Sequence, residues 1–419
     1  MTSIADLVPL LLALAAIVAT INHRFIGLPR AIALLLGSLS ICALITAIDM
    51  LSGTDISAWV RGMLNAAAFP QVLLNILLGL LLFAASLHID LTELERQKWI
   101  VLGLATVGVI ISTIVFGFGI WVLFRLAGTP VPLGWCAVLG ALLAPTDAVV
   151  VDALLRRAPL PSPMKVAIAG ESLCNDGAGV VLFNIMLSLA QGEHGVIGHG
   201  KVAIALLVQG VGGGTLGCLT GFLTARVLRW VDEPGLWLMI SLTLVTCTYR
   251  FAGVIGLSGP TAVVACGLVL RLQAPRDAVG QTMLTEMTTF WSVMDQLLNA
   301  MLFVLIGFEL LAVRFSREVW LPVATAFPVA LLSRLAGVVL PVVVRRRNRT
   351  QPWRGLAMLT WAGLHGGVSI ALALTLPPSP YRDRLLVVCY GVVVFSTLVQ
   401  GLGMSRVIRW LYGTRLESA

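Results

Sequence analysis

Long apolar runs separated by short polar or basic stretches recur along the chain from Leu7 to Arg409. A helix needs about 20 apolar residues to cross the hydrocarbon core of a bilayer. Lipid offers the backbone no hydrogen-bonding partner, so each run is expected to form the self-satisfied α-helix. The pattern predicts thirteen spans, near 7–21, 29–48, 70–88, 99–124, 132–153, 164–190, 202–227, 236–249, 253–270, 290–311, 319–343, 354–375 and 385–408. The first run has no basic stretch before it and no small-residue cleavage pattern after it, and so reads as a span rather than a removed leader.

Two runs are interrupted. Ala144-Pro-Thr-Asp147 sets a proline and a charge inside the fifth, and Gly363-Leu-His-Gly-Gly367 breaks the twelfth. If thirteen spans divide into six, a linker and six, both interruptions are fifth in their half. The first repeat then covers about 7–190, the linker helix about 202–227 and the second repeat about 236–408, together a membrane transport domain over 1–409 with a short tail at 410–419. An odd number of spans between the halves inverts the second, the arrangement of many secondary transporters, in which broken helices mark the substrate site. The expected fold class is therefore an all-α polytopic membrane protein, with inverted six-helix repeats and two broken crossing helices.

Composition agrees. Of 419 residues, 58% are hydrophobic and 11% charged, and the mean hydropathy is +0.97, far from a soluble globular mix. The net charge of +8 does not indicate nucleic acid, because the basic residues sit between apolar runs rather than on a separate basic face. With the N-terminus outside, 19 Lys and Arg fall on the cytoplasmic side and 8 on the other. The positive-inside rule thus favours N-out and C-in, which requires an odd span count. The seven cysteines lie within apolar segments without CxxC or metal-type spacing, and read as free thiols behaving as small hydrophobes.

A charge near the bilayer centre costs about 2.5–3.5 kcal/mol even on the lenient insertion scale, so each needs a partner or a function. Asp147, Glu171, Asp176 and Arg334 meet that description, with Asp295 and Glu309 nearer the ends of the tenth span. Helical spacing puts Ser172 and Asp176 on one stripe, and Glu171 and Asn175 on a second about 100° around. If Asp147 approaches the first stripe, two carboxylates, a hydroxyl and loose carbonyls make a hard-oxygen site for a small cation. Glu171 is left to pair with Arg334, the one buried cation, as a packing pair. One arginine does not neutralise three carboxylates, so the two aspartates read as an ion or proton site.

Ala144-Pro-Thr-Asp-Ala-Val-Val150, Glu171-Ser-Leu-Cys-Asn-Asp-Gly177, Phe303-Val-Leu-Ile-Gly-Phe-Glu309 and Trp361-Ala-Gly-Leu-His-Gly-Gly-Val-Ser-Ile-Ala-Leu-Ala-Leu374 resemble signatures of the monovalent cation/proton antiporters of the NhaP and NHE type, in order over almost the whole chain. The resemblance implies a core domain and a dimerisation domain in a homodimer of the cell inner membrane. It implies no cofactor, only transported sodium, lithium or potassium and protons. It also implies that Asp147, Asp176, Ser172 and Thr146, the last through its carbonyl, surround the cation, that Asn175 braces the site, and that Glu171 pairs with Arg334. The Asn-Asp pair goes with electroneutral exchange in that family.

Two positions depart from the family pattern. Ala84 stands where related sequences often have a glutamate, and His365 stands where they have arginine. Histidine titrates near neutral pH, so His365 reads either as a modulator or as a hydrogen-bonded structural replacement. Three alternatives to sodium/proton exchange remain at this stage: a potassium preference, a transport-impaired sensor, and an intramembrane serine protease built on Gly256-Leu-Ser-Gly259 with His365 as base. Asp295, Glu309, Asn299 and Asp90 read as solvated or helix-capping residues at span ends. The Arg345-Arg-Arg-Asn-Arg349 run reads as an anchor to anionic lipid, and Trp353 and Trp410 as interfacial anchors.

Overall fold

The apolar runs fold as helices throughout a computed structural model that describes residues 4–66, 77–147, 160–192, 201–274, 278–309, 320–345 and 352–413. In chain order these are α1 (Ile4–Ile21), α2 (Arg30–Ser52), α3 (Ile56–Ala66), α4 (Leu78–His88), α5 (Leu91–Leu126), α6 (Leu133–Leu143), α7 (Ser162–Ala190) and α8 (Lys201–Leu228). They continue with α9 (Pro234–Val254), α10 (Gly259–Gln273), α11 (Ala278–Glu309), α12 (Trp320–Arg345), α13 (Pro352–Trp361), α14 (Gly367–Leu374) and α15 (Arg382–Tyr412). Among the described residues, nine helices are long and apolar enough to cross a membrane. The protein is a multi-pass membrane protein of the all-α class. The third predicted span before residue 77, the fifth beyond Asp147 and most of the basic run after Arg345 lie outside the described residues.

Several helices outrun their apolar stretches. α5 starts at Leu91, where Asp90 accepts hydrogen bonds from the Thr92 and Glu93 amides and so caps the helix, the role its position at a span end predicts. α11 starts at Ala278, twelve residues before the apolar run. That early start overturns the expectation for Asp295, which lies in mid-helix and accepts from Asn299 Nδ2 at 2.9 Å. Asn299 and Glu309 are buried, each 6% exposed, rather than solvated. Long α5 and α15 carry π turns, at Leu104–Gly108 and Ser396–Gln400, features that often accompany functional positions.

The interior divides into two apolar clusters. One gathers α1, α2, α5, α6 and the later helices α12 to α15; the other gathers α4, α8, α9 and α10. α7 and α11 contribute to both: Ile168, Leu182 and Phe183 face the first and Val166 and Leu173 the second. α7 therefore runs between the clusters, with its polar residues at their junction. α8 packs tightly on α10, because Gly213 and Gly217 leave room for the Ser258 and Ala262 carbonyls.

Candidate cation site

α6 stops at Leu143, and Ala144–Asp147 continue without helix. Proline supplies no amide for the helical ladder, so the break is local chemistry. The freed groups find partners on α7. Ser172 Oγ donates to the Thr146 carbonyl at 2.7 Å, and Asn175 Nδ2 donates to Thr146 Oγ1 at 2.9 Å. Gly179 lets the two segments approach, since a Cβ there would collide with the Pro145 ring.

α13 stops at Trp361, and α14 starts again at Gly367. Between them the chain is non-helical and buried. The two interruptions meet: the Asp147 amide donates to the Leu364 carbonyl at 2.7 Å. The Asp147 carboxylate sits over the N-terminus of α14, where the Gly367 amide reaches Oδ2 at 3.4 Å. Free amides and the positive helix end favour an anion there. Gly366 is required sterically, because a Cβ would overlap the Asp147 side chain.

One turn beyond Ser172, Asp176 lies on the same face of α7. Thr146, Ser172 and Asp176 are each 5–8% exposed and Asn175 is fully buried. All five residues predicted for the site therefore come together at the crossing of the broken segments. Two carboxylates repel in a desolvated site and need a positive charge between them. The oxygens available are carboxylate, hydroxyl and backbone carbonyl, which suit a hard monovalent ion and equally accept a proton.

The second stripe of α7 faces a different partner. Arg334 of α12 holds the Glu171 carboxylate with both terminal nitrogens, Nη2 to Oε2 at 2.8 Å and Nη1 to Oε1. The guanidinium also donates to the Leu359 carbonyl, from Nε at 3.2 Å and Nη2 at 3.1 Å. Leu359 lies in the last turn of α13, whose carbonyls lack helical partners. The pair thus ties α7, α12 and the end of α13 together, just before the second break. Gly363 makes room for the arginine stem.

His365 lies within the second unwound stretch, buried, and its ring Nδ1 has no hydrogen-bond partner among the described residues. Ser258, the nucleophile of the protease alternative, caps α10 instead: its Oγ accepts from the Thr261 amide at 3.3 Å and bonds Thr261 Oγ1 at 2.9 Å. Ala84 is fully buried in α4. Two contributors were not foreseen: the Leu364 carbonyl, which carries no side-chain signature, and the α14 N-terminus as a seat for Asp147. The Gly-Gly pair at 366–367 was the signal for the second.

Two non-helical stretches, one following α6 and one between α13 and α14, that meet beside a carboxylate pair define a polytopic secondary transporter for small cations. The whole chain agrees with that class. Residues 11–410 match the family model described as "Sodium/hydrogen exchanger, transmembrane", and the chain belongs to that family. It is 36% identical to the Na(+)/H(+) antiporter NhaP of Pseudomonas aeruginosa, over 99% of both chains. It is 30% identical to the Na(+)/H(+) antiporter NhaH of Halobacillus dabanensis, over 84% of this chain and 86% of that one. The structure of the sodium proton antiporter MjNhaP1 from Methanocaldococcus jannaschii shares the fold, with a TM-score of 0.74 at 18% identity over 96% of this chain and 97% of that one.

Proposed function

We propose that this chain is a secondary active antiporter that exchanges sodium for protons across the membrane by alternating access, using Asp147 and Asp176 as the shared cation and proton site. The observation that carries the proposal is the bridge from Thr146, the neighbour of Asp147, to Ser172 and Asn175, which lie one turn before and next to Asp176 on α7. Sodium between the two carboxylates, with the Thr146 carbonyl and Ser172 Oγ completing its shell, occupies the same oxygens that a proton needs. Competition for one site becomes exchange if only the neutralised site crosses between the two sides. No covalent step and no cofactor is involved.

Asn175 stays neutral and braces Thr146, so a single carboxylate pair carries the exchange, in keeping with one cation for one proton. Glu171 and Arg334 act as a structural ion pair. His365 serves as a buried hydrogen-bonded replacement for arginine, held through its backbone by Ser396 and Thr397. Residues 1–409 form the transport domain, two inverted repeats about the 202–227 linker, and work as a homodimer in the inner membrane with the N-terminus outside. These finer assignments rest on the resemblance, the charge asymmetry and the fold shared with antiporters.

The test is exchange in proteoliposomes holding the purified protein, with a pH-sensitive dye inside and sodium, lithium or potassium added outside. Wild type is expected to move protons on sodium addition, and Asp176→Asn to abolish that movement while remaining folded. Full activity in Asp176→Asn overturns the site assignment; exchange with potassium alone overturns the sodium assignment.

A further inference from the structure

α15 is one apolar helix except at Ser396–Gln400, where it opens into a π turn. This turn faces the second unwound stretch, and its polar groups are buried: Ser396 and Thr397 are fully buried and Gln400 is 1% exposed. Four hydrogen bonds join the two segments. Gln400 Nε2 donates to the Trp361 carbonyl at 3.1 Å and Trp361 Nε1 donates back to the Gln400 carbonyl at 3.1 Å. The His365 amide donates to Ser396 Oγ at 3.2 Å, and Thr397 Oγ1 donates to the His365 carbonyl at 3.4 Å. Gly403, one turn further along, leaves space for the Trp361 ring.

The placement of these bonds is informative. Trp361 is the last residue of α13, so its carbonyl has no helical donor, and His365 lies where neither broken half satisfies its backbone. Buried backbone groups must be paired, and the π turn supplies the partners at both ends of the stretch. Between those two anchors is Leu364, whose carbonyl receives the Asp147 amide. A π turn adds a residue to one turn of the helix and is retained where it serves a purpose. Here it turns Ser396, Thr397 and Gln400 together toward one backbone segment.

We propose that Ser396, Thr397 and Gln400 are positioning residues for cation exchange. They fix the register of the second unwound stretch, and through the Leu364 carbonyl and the Gly367 amide they aim the Asp147 carboxylate at the ion. They do not touch the ion. The inference rests on the exchange site proposed above. Releasing one anchor lets Leu364 and Gly367 shift relative to Asp147, and a displacement of about 1 Å in a site-supporting segment weakens the site steeply.

The experiment measures the sodium dependence of exchange in proteoliposomes for wild type, Asp176→Asn, Ser396→Ala, Ser396→Thr and Gln400→Leu. Ser396→Ala and Gln400→Leu are expected to raise the apparent KM for sodium about tenfold, the effect of a lost buried hydrogen bond. Their maximal rate per folded protein should change far less, and Ser396→Thr, which keeps the hydroxyl, should restore the wild-type KM. A purely structural role would lower the amount of active protein and leave KM unchanged. A wild-type KM in Ser396→Ala overturns the positioning role, and because only one oxygen is removed, that variant decides the matter even if Gln400→Leu does not fold. Failure of the underlying site looks different: wild type without exchange, or Asp176→Asn with it.

Discussion

Asp147 has its surroundings chosen by two residues that carry no charge. Thr146 holds it to α7, and Gly366 leaves the space its carboxylate occupies over α14. Gly366→Ala is therefore expected to reduce sodium-driven exchange by about tenfold or more, because the added methyl displaces the carboxylate from the Gly367 amide; initial rates in proteoliposomes check this. Glu171 and Arg334 make a different prediction. Removing one partner of a buried pair leaves an uncompensated charge, at a cost of about 3–5 kcal/mol. Glu171→Gln or Arg334→Met should lower the thermal unfolding midpoint in detergent substantially, and the double replacement should fall less than the sum. Additive losses would show that the two side chains act independently. At this scale the α7 stripes were legible, because spacing of one helical turn is a property of sequence. Arg334 was legible as the partner of Glu171, because it is the one cation inside a span; the Leu359 and Leu364 carbonyls that hold Arg334 and Asp147 were not, because they reach them from distant positions in the chain.

Helices were read from their apolar centres, and their ends were the part most often displaced. Apolarity marks the portion in lipid, whereas α5 continues beyond it as polar, capped helix and α11 as polar helix. That extension moved Asp295 from a supposed end to mid-helix. The breaks were legible where proline or paired glycines announce them, in α6 and between α13 and α14. The π turn of α15 was not, since Ser-Thr-Leu-Val-Gln has ordinary helical composition and its geometry is imposed by what packs against it. Packing of α8 on α10 is testable at this scale. Gly217 lies against the Ala262 carbonyl while Gly214 faces open space. Gly217→Val should destabilise the protein by about 1–3 kcal/mol through overpacking. Gly214→Ala should be neutral or slightly stabilising, and equal melting points for the two variants would contradict the tight contact.

For the whole molecule, exchange through one shared site has a kinetic signature. Lowering the pH on the sodium-loading side should slow exchange at low sodium, and saturating sodium should restore the rate, since protons and sodium displace each other. Persistent inhibition at saturating sodium would indicate a separate proton site. The distribution of charge, 19 basic residues against 8, predicts a cytoplasmic C-terminus. A cysteine placed after Tyr412 in a variant lacking the native seven should resist an impermeant thiol reagent in intact cells and react once they are opened; labelling in intact cells would reverse the orientation.

The sequence by itself determined that the chain lives in a membrane, roughly where it crosses, where two of its apolar runs are interrupted, and that Glu171, Asp176 and Arg334 are buried charges. Each of these follows from local chemistry: the cost of polar groups in lipid, the missing amide of proline, the 3.6-residue turn. Only the tertiary structure decided that the two breaks touch, that Asp147 rests on the α14 N-terminus, that Arg334 binds both Glu171 and Leu359, and that α15 opens to hold Trp361 and His365. Those are contacts between backbone groups far apart in the chain. A carbonyl or amide is the same in every residue, so nothing in the letters reveals which one a distant partner will meet until packing brings them together.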